Sequence, residues 1–168
     1  MNILIREETA ADYSAIETLT IAAFAKMPYS QQTEHHIIRA LRSSGQLTLS
    51  LVAEQAGEVI GHIAVSPVIL SDGSSGWFGI GPLAVKPEHQ HQGIGSKLME
   101  EAISALKQQQ AAGLVLVGDP AYYNRFGFYA SRQLVYPDIP AEYVLARPLQ
   151  GEIPDATVQF QPAFQATA

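Results

Sequence analysis

The segment Gln90-His91-Gln92-Gly93-Ile94-Gly95-Ser96 carries the most legible chemistry in this chain. It lies between an apolar run ending at Val85 and an amphipathic helical pattern. Two glycines at a helix start let the main chain approach a ligand closely. The first helical turn adds unpaired N–H groups at the positive end of the dipole, which suits a diphosphate. Ser96 contributes a hydroxyl donor. A glycine-rich turn that merely packs helix against strand fits the same spacing. The segment is not a Walker P-loop, because the four-residue spacer and the Lys-Ser/Thr pair are absent, and it is not Gly-x-Gly-x-x-Gly.

Gly81-Pro82, inside the apolar run 77–85, is a second signal. Proline cannot donate to a ladder, so pairing must break or bulge there. A strand that leaves its neighbour exposes N–H and C=O groups to an extended ligand; an ordinary edge strand is the other reading. The third signal is Tyr122-Tyr123-Asn124-Arg125-Phe126-Gly127-Phe128, after a Gly118-Asp119-Pro120 turn. Phe126 and Phe128 read as core, and Tyr123 fits either core or chemistry. His35-His36 and His89-x-His91 lack a carboxylate or cysteine to complete a metal set, so no metal is expected.

Hydropathy periodicity supplies the elements that must position these residues. A short apolar strand over 2–6 precedes a helix capped by Thr9, with Asp12 in its first turn and Ile16, Leu19, Thr20, Ala23 and Phe24 at helical spacing to about residue 25. Pro28 breaks it, and a second helix over 33–43 carries Ile37, Ile38 and Leu41. Strands over 47–54 and 59–70 form a hairpin across Gln55-Ala56-Gly57-Glu58. A loop over 71–76 leads to the strand 77–85. The helix over 93–108 buries Ile94, Leu98, Ala102, Ile103 and Leu106 on one face. The run 114–117 is a buried strand, and this long helix reads as a crossover between parallel strands. A short helix over 120–126 and a last strand region follow, with 143–147 pairing at an edge. The order predicts an α/β mixture with a mostly antiparallel sheet flanked by helices.

The chain has 168 residues, of which 47% are apolar, enough for one domain with a real core. The domain is expected over 1–148, with 149–168 an extended or loosely ordered tail. With 10 Lys+Arg against 16 Asp+Glu, the net charge of -6 argues against a nucleic-acid partner. Cysteine is absent, which removes disulfides and any cysteine nucleophile. Arg6, Glu7 and Glu8 interrupt the apolar start a signal peptide needs, and no run reaches the ~20 apolar residues of a membrane helix. A soluble, cytoplasmic chain without membrane contact is expected.

Together these segments resemble the GNAT superfamily of acyl-CoA-dependent N-acetyltransferases. The family's phosphate loop, Gln/Arg-x-x-Gly-x-Gly/Ala, is matched by Gln90 to Gly95, and its late Tyr-x-x-x-Gly-Phe by Tyr123 to Phe128. The likeness spans about residues 3–147. Many members carry glycine where this chain has His91, which leaves the role of that side chain open.

The resemblance implies a splayed parallel strand pair at the centre of the sheet, with acetyl-CoA in the gap. Leu83, Ala84 and Val85 would meet the pantetheine arm, and the Leu83 N–H would polarise the thioester carbonyl. Residues Gln90, His91, Gln92, Gly93, Ile94, Gly95 and Ser96 would form the diphosphate site, chiefly through their amides from Gln92 onward. Tyr123 would protonate the departing thiolate. Arg125 and Lys86 could touch phosphates or stay solvated. The acceptor would be a small-molecule or peptide amine, acetylated directly in a ternary complex. An alkylammonium near ~10.4 costs about 4.6 kcal/mol to deprotonate at pH 7, so a base or water chain helps. His62, mid-strand, is a candidate base or acceptor contact as well as a structural histidine, and Glu34 a candidate contact for a cationic acceptor as well as a solvated carboxylate. A non-catalytic acyl-CoA sensor is the rival function. Homodimerisation through the last strands or tail is compatible with the sequence.

Overall fold

A computed structural model of the chain describes residues 2–168, which fall into two compact units. The first comprises residues 2–65, 81–103 and 162–168. It contains β1 (Leu4–Glu7), α1 (Tyr13–Phe24), α2 (Glu34–Ser43) and β2 (Leu49–Gln55). It also holds most of β3 (Glu58–Pro67), the second half of β5 (Trp77–Val85) and the first two-thirds of α3 (Ile94–Gln108). β1 pairs antiparallel with β2 from Leu4↔Glu54 to Glu7↔Leu51, and β2 with β3 from Leu49↔Val65 to Gln55↔Glu58. The hairpin turn falls on Ala56-Gly57, as its sequence predicts. Ile16, Leu19 and Ala23 of α1, Ile38 of α2, Val52, Val59 and Ala84 form one buried cluster. On α3, the methyls of Ile94 and Leu98 come within 3.2 Å of where a side chain on Gly61 would begin, so the helix packs closely on β3.

The second unit comprises residues 66–80 and 104–161. It contains β4 (Ile69–Leu70), the first half of β5, β6 (Gly113–Val117) and α4 (Pro120–Tyr123), which runs into a 3-10 turn (Asn124–Phe126). It also holds β7 (Tyr129–Ala130), β8 (Leu134–Val135), β9 (Val144–Pro148) and β10 (Ala156–Gln159). β5 and β6 run parallel in register from Trp77↔Gly113 to Gly79↔Val115, which bears out the crossover reading of α3. A Cβ on Gly113 would lie 2.4 Å from the Trp77 indole, so the small residue lets the tryptophan into the core beside Val115, Val144 and Val158.

Seven strands are hydrogen-bonded in the order β1-β2-β3-β5-β6-β9-β7, and β5 contributes residues to both units. The chain is thus a mixed α/β fold with a mostly antiparallel sheet. The Gly81-Pro82 peptide is cis. Two elements differ from the sequence expectation. β9 is not an edge, because β6 and β7 pair on its two sides. Residues 149–168 include β10, whose Val158 and Gln159 pair with β4 and whose Ala156 and Thr157 pair with β8. Short strands without turn chemistry carry too little periodicity to be seen locally.

The entry to α1 is held by charge. Arg6 donates to both oxygens of Asp12 at 2.8 and 3.0 Å, and Asp12 also accepts from the Thr9 N–H at 2.7 Å. The Arg6 guanidinium lowers the Asp12 carboxyl from its ordinary 3.8 to about 2, against the opposing effect of burial. A depressed carboxylate contributes stability above its unfolded value and loses it as pH falls through the folded one. Acidifying from pH 5 to 2 should therefore remove on the order of 2 kcal/mol through this residue. Urea unfolding across that range should show a flatter acid slope in Asp12→Asn; parallel curves would remove the linkage.

Candidate functional site

The first unit carries the β5 terminus, the loop after it and the start of α3. The Lys86 N–H donates to the Ile60 carbonyl at 2.9 Å, so the main chain at this end of β5 faces β3 at Lys86. Strand alternation directs the Ala84 groups the same way and those of Leu83 and Val85 to the opposite side. The Gln90 Nε2 donates to the Val85 carbonyl at 3.0 Å, on that opposite side. Gln90 thereby ties the loop back to its strand, a role the motif alone does not disclose. The Val85 carbonyl already has this partner, whereas the Leu83 side chain is half-buried and its N–H points away from β3. Ala84 turns its side chain away from solvent. Its methyl is buried in the α1–α2 cluster, and strand alternation from Lys86 puts its main-chain groups on the β3 side.

The loop turns through a 3-10 segment (Pro87–His89) and then through two left-handed residues, His91 at φ 65° and Gly93 at φ 83°. A glycine adopts this conformation freely; a histidine does so at a cost of roughly 1 kcal/mol. The His91 side chain is exposed, as is that of Gln92. The first intrahelical bond of α3 runs from the Lys97 N–H to the Gly93 carbonyl at 3.1 Å. The N–H groups of Ile94, Gly95 and Ser96 precede it and project from the helix start, while the Ile94 side chain is buried beneath them. These amides fit a diphosphate: they are grouped, they sit at the positive dipole end, and nothing lies within 4 Å of where a Gly93 side chain would be.

Tyr123 lies in the second unit, at the end of α4, half-buried. Asp119 caps this short helix, accepting from the Ala121 N–H at 2.9 Å. The ring packs edge-on against Tyr122 at 4.9 Å and Phe128 at 6.5 Å between centroids. A Cβ on Gly118 would fall 2.5 Å from the Tyr123 ring, so Gly118 opens the space the phenol occupies. The sequence shows Gly118 only as a turn residue. Burial, with Tyr122 adding to it, raises the Tyr123 phenol to about 12, so the hydroxyl keeps its proton at neutral pH. Arg125 donates to the Tyr122 carbonyl at 2.9 Å, and Lys86 pairs with Glu58.

His62 is fully buried in β3. Its Nε2 lies 2.7 Å from the Ser50 hydroxyl, which itself donates to Glu8 at 2.7 Å. Arg42 donates to both Glu8 oxygens at 3.0 and 2.7 Å. Because the serine proton goes to Glu8, the imidazole must donate through Nε2, leaving Nδ1 as a lone pair without a partner among the described residues. Burial lowers His62 to about 4; Glu8 opposes this and Arg42 adds to it. Taking a proton from an ammonium near ~10.4 would be uphill by about 9 kcal/mol. Both burial and basicity weigh against His62 as the base or as an acceptor contact, and its place is in the network joining β1, β2, β3 and α2. Glu34, in the first turn of α2, accepts the Ser30 hydroxyl at 2.7 to 2.8 Å from its two oxygens. A cleft of about 280 Å³ between α1 and α2 is lined by Tyr13, Glu17, His35, Arg39 and Arg42, among others, and includes none of the residues the sequence proposes for the cofactor, the chemistry or the acceptor.

Among the described residues no group of three or more histidines or carboxylates could hold a metal ion, and no helix is long and apolar enough to cross a membrane. A profile of the acetyltransferase (GNAT) domain matches residues 46–130. An Escherichia coli K12 protein described as an uncharacterized N-acetyltransferase, YhbS, is 38% identical over 127 residues, covering 75% of this chain and 73% of that one. A GNAT family acetyltransferase from Brucella melitensis, solved in complex with acetyl-CoA, superposes with a TM-score of 0.87 at 41% identity over 97% of this chain and 98% of its own. YhbS solved in complex with CoA superposes at 0.88 with 30% identity, over 100% of this chain and 94% of its own.

Proposed function

This chain belongs to the GNAT family of acetyltransferases, and from that premise we propose that it moves an acetyl group from acetyl-CoA directly to a primary amine of a small molecule or peptide, both bound at once. Acetyl-CoA supplies the activated thioester and a diphosphate. The amides of Gln92 to Ser96 and the Ser96 hydroxyl hold the diphosphate at the start of α3. The Leu83 N–H donates to the thioester carbonyl, where a preorganised donor contributes a few kcal/mol. As the amine nitrogen bonds to the acetyl carbon, the C–S bond breaks; the amine proton leaves to water, and the Tyr123 hydroxyl gives its proton to the sulfur. No covalent enzyme intermediate is needed. Glu34, oriented by Ser30, receives a cationic acceptor.

The observation that carries this reading is the start of α3, where left-handed Gly93 precedes three amides that come before the first helical bond. Calorimetry with CoA and a thiol-release assay across alkylamines, amino-acid amides and peptide N-termini test it. Binding heat and turnover with at least one amine class are expected. No association with CoA would remove the site. Tight CoA binding with silence across the panel would favour a sensor over an enzyme.

A further inference from the structure

We propose that Arg147 is a positioning residue that sets the place of the Tyr123 phenol by stapling the end of its turn to β9. This deepens the proposed function and rests on the reading of Tyr123 as proton donor. The turn has few bonds of its own. α4 has four residues, none of them fully buried, and runs straight into a three-residue 3-10 segment. Helical pieces this short lack the bonds to offset their nucleation. The closing bond from the Phe128 N–H to the Tyr123 carbonyl is long, at 3.4 Å.

Two fixed points bracket the segment. At its start, Asp119 caps the helix and Gly118 leaves room for the ring. At its end, Arg147 Nη1 donates to the Phe126 carbonyl at 2.7 Å. The arginine also lies along Gly127: a Cβ there would sit 3.3 Å from Arg147 Cδ, 3.4 Å from Nε and 3.5 Å from Cζ. Gly127 has φ 83°, so glycine serves both the left-handed turn and the close approach of the guanidinium. Arg147 comes from β9, paired on both sides and opposite Leu114 of β6, and so brings a rigid strand to a weak turn. No carboxylate pairs with it among the described residues, which leaves this carbonyl as the bond its guanidinium makes. A charged donor to a carbonyl is stronger than a neutral one.

Arg147→Met keeps the aliphatic cover over Gly127 and removes the donor; Arg147→Lys restores a donor. Tyrosine-ring-labelled protein, studied by NMR, reports contacts between the Tyr123 ring and the Gly118 Hα, with Tyr123→Phe assigning the signal. The contacts should weaken in Arg147→Met and return in Arg147→Lys. Turnover of acetyl-CoA with the fastest amine of the panel should fall about tenfold in Arg147→Met, with KM for acetyl-CoA held within about twofold, as expected for a small misplacement of one group. The same substitution in a Tyr123→Phe background should cost nothing more. Ring contacts unchanged in Arg147→Met, or an equal loss of turnover in both backgrounds, would overturn the proposal. If Arg147→Met does not fold, Arg147→Leu, which also lacks the donor, carries the same cycle and should move the ring contacts and turnover in the same direction. Failure of the proton-donor reading shows separately, as full turnover in Tyr123→Phe alone.

Discussion

Tyr123→Phe is expected to bind CoA as tightly as the unaltered protein and to turn over about 10²-fold more slowly, the size of effect typical for loss of a positioned acid. The substitution removes one oxygen and leaves the ring packing against Tyr122 and Phe128 in place, so stability should barely change. The reason is electrostatic. A phenol raised to about 12 by burial stays protonated through the neutral range and can donate. An alkyl thiolate, ordinarily near ~8.5, is the weaker base in water, but desolvation beside the phenol raises it as well and narrows the gap. The sign of the shift also fixes a pH feature. Loss of the Tyr123 proton should not depress the rate below about pH 11, because the acid form is lost only as pH rises through the raised value. Stopped-time thiol-release rates and calorimetry on both proteins decide it. Unchanged turnover in the variant would end the assignment.

Gly93→Val should weaken CoA binding by one to two orders of magnitude. That size follows from roughly 1–2 kcal/mol of left-handed strain, together with the amide hydrogen bonds to the diphosphate that a relaxed loop no longer makes. Gly93 sits at φ 83° with no atom within 4 Å of a would-be Cβ, so the obstacle is the backbone, not a clash. A branched residue drives the chain out of this conformation and swings the Ile94, Gly95 and Ser96 amides off their common target. Gly73 is the matched control: it has φ 82° and equally open surroundings, but it lies in the loop before β5. Gly73→Val should lower the melting temperature comparably and leave CoA affinity unchanged. Calorimetry on both variants reads the difference, and equal affinities would show that the α3 start does not hold the nucleotide.

Much of this protein is legible one segment at a time. The phosphate loop is so because its chemistry is local: unpaired amides at a helix start and a residue forced to positive φ are properties of six consecutive residues. The helix Glu34–Ser43 and the strand Trp77–Val85 match their apolar patterns for the same reason. The Tyr123 segment is legible as a motif, but not the space Gly118 leaves for its ring. The placements the sequence left open depend on partners far along the chain. His62 meets Ser50, 12 residues away, and Ser50 meets Glu8, 42 residues away; only the pairing of three strands assembles that network and makes the histidine a poor base.

The amino-acid order by itself determined that the chain would build an α/β sheet, would place grouped amides after β5, and would present a tyrosine after a buried strand. Tertiary structure alone decided that the Ala84 methyl enters the core, that the Gln90 amide secures the Val85 carbonyl, that residues 156–159 form a strand, and that Arg147 reaches the Phe126 carbonyl across 21 positions. Hydropathy period and turn chemistry are written in neighbouring residues, whereas the direction a side chain faces and the partner it meets follow from register and packing between segments that share no local signal.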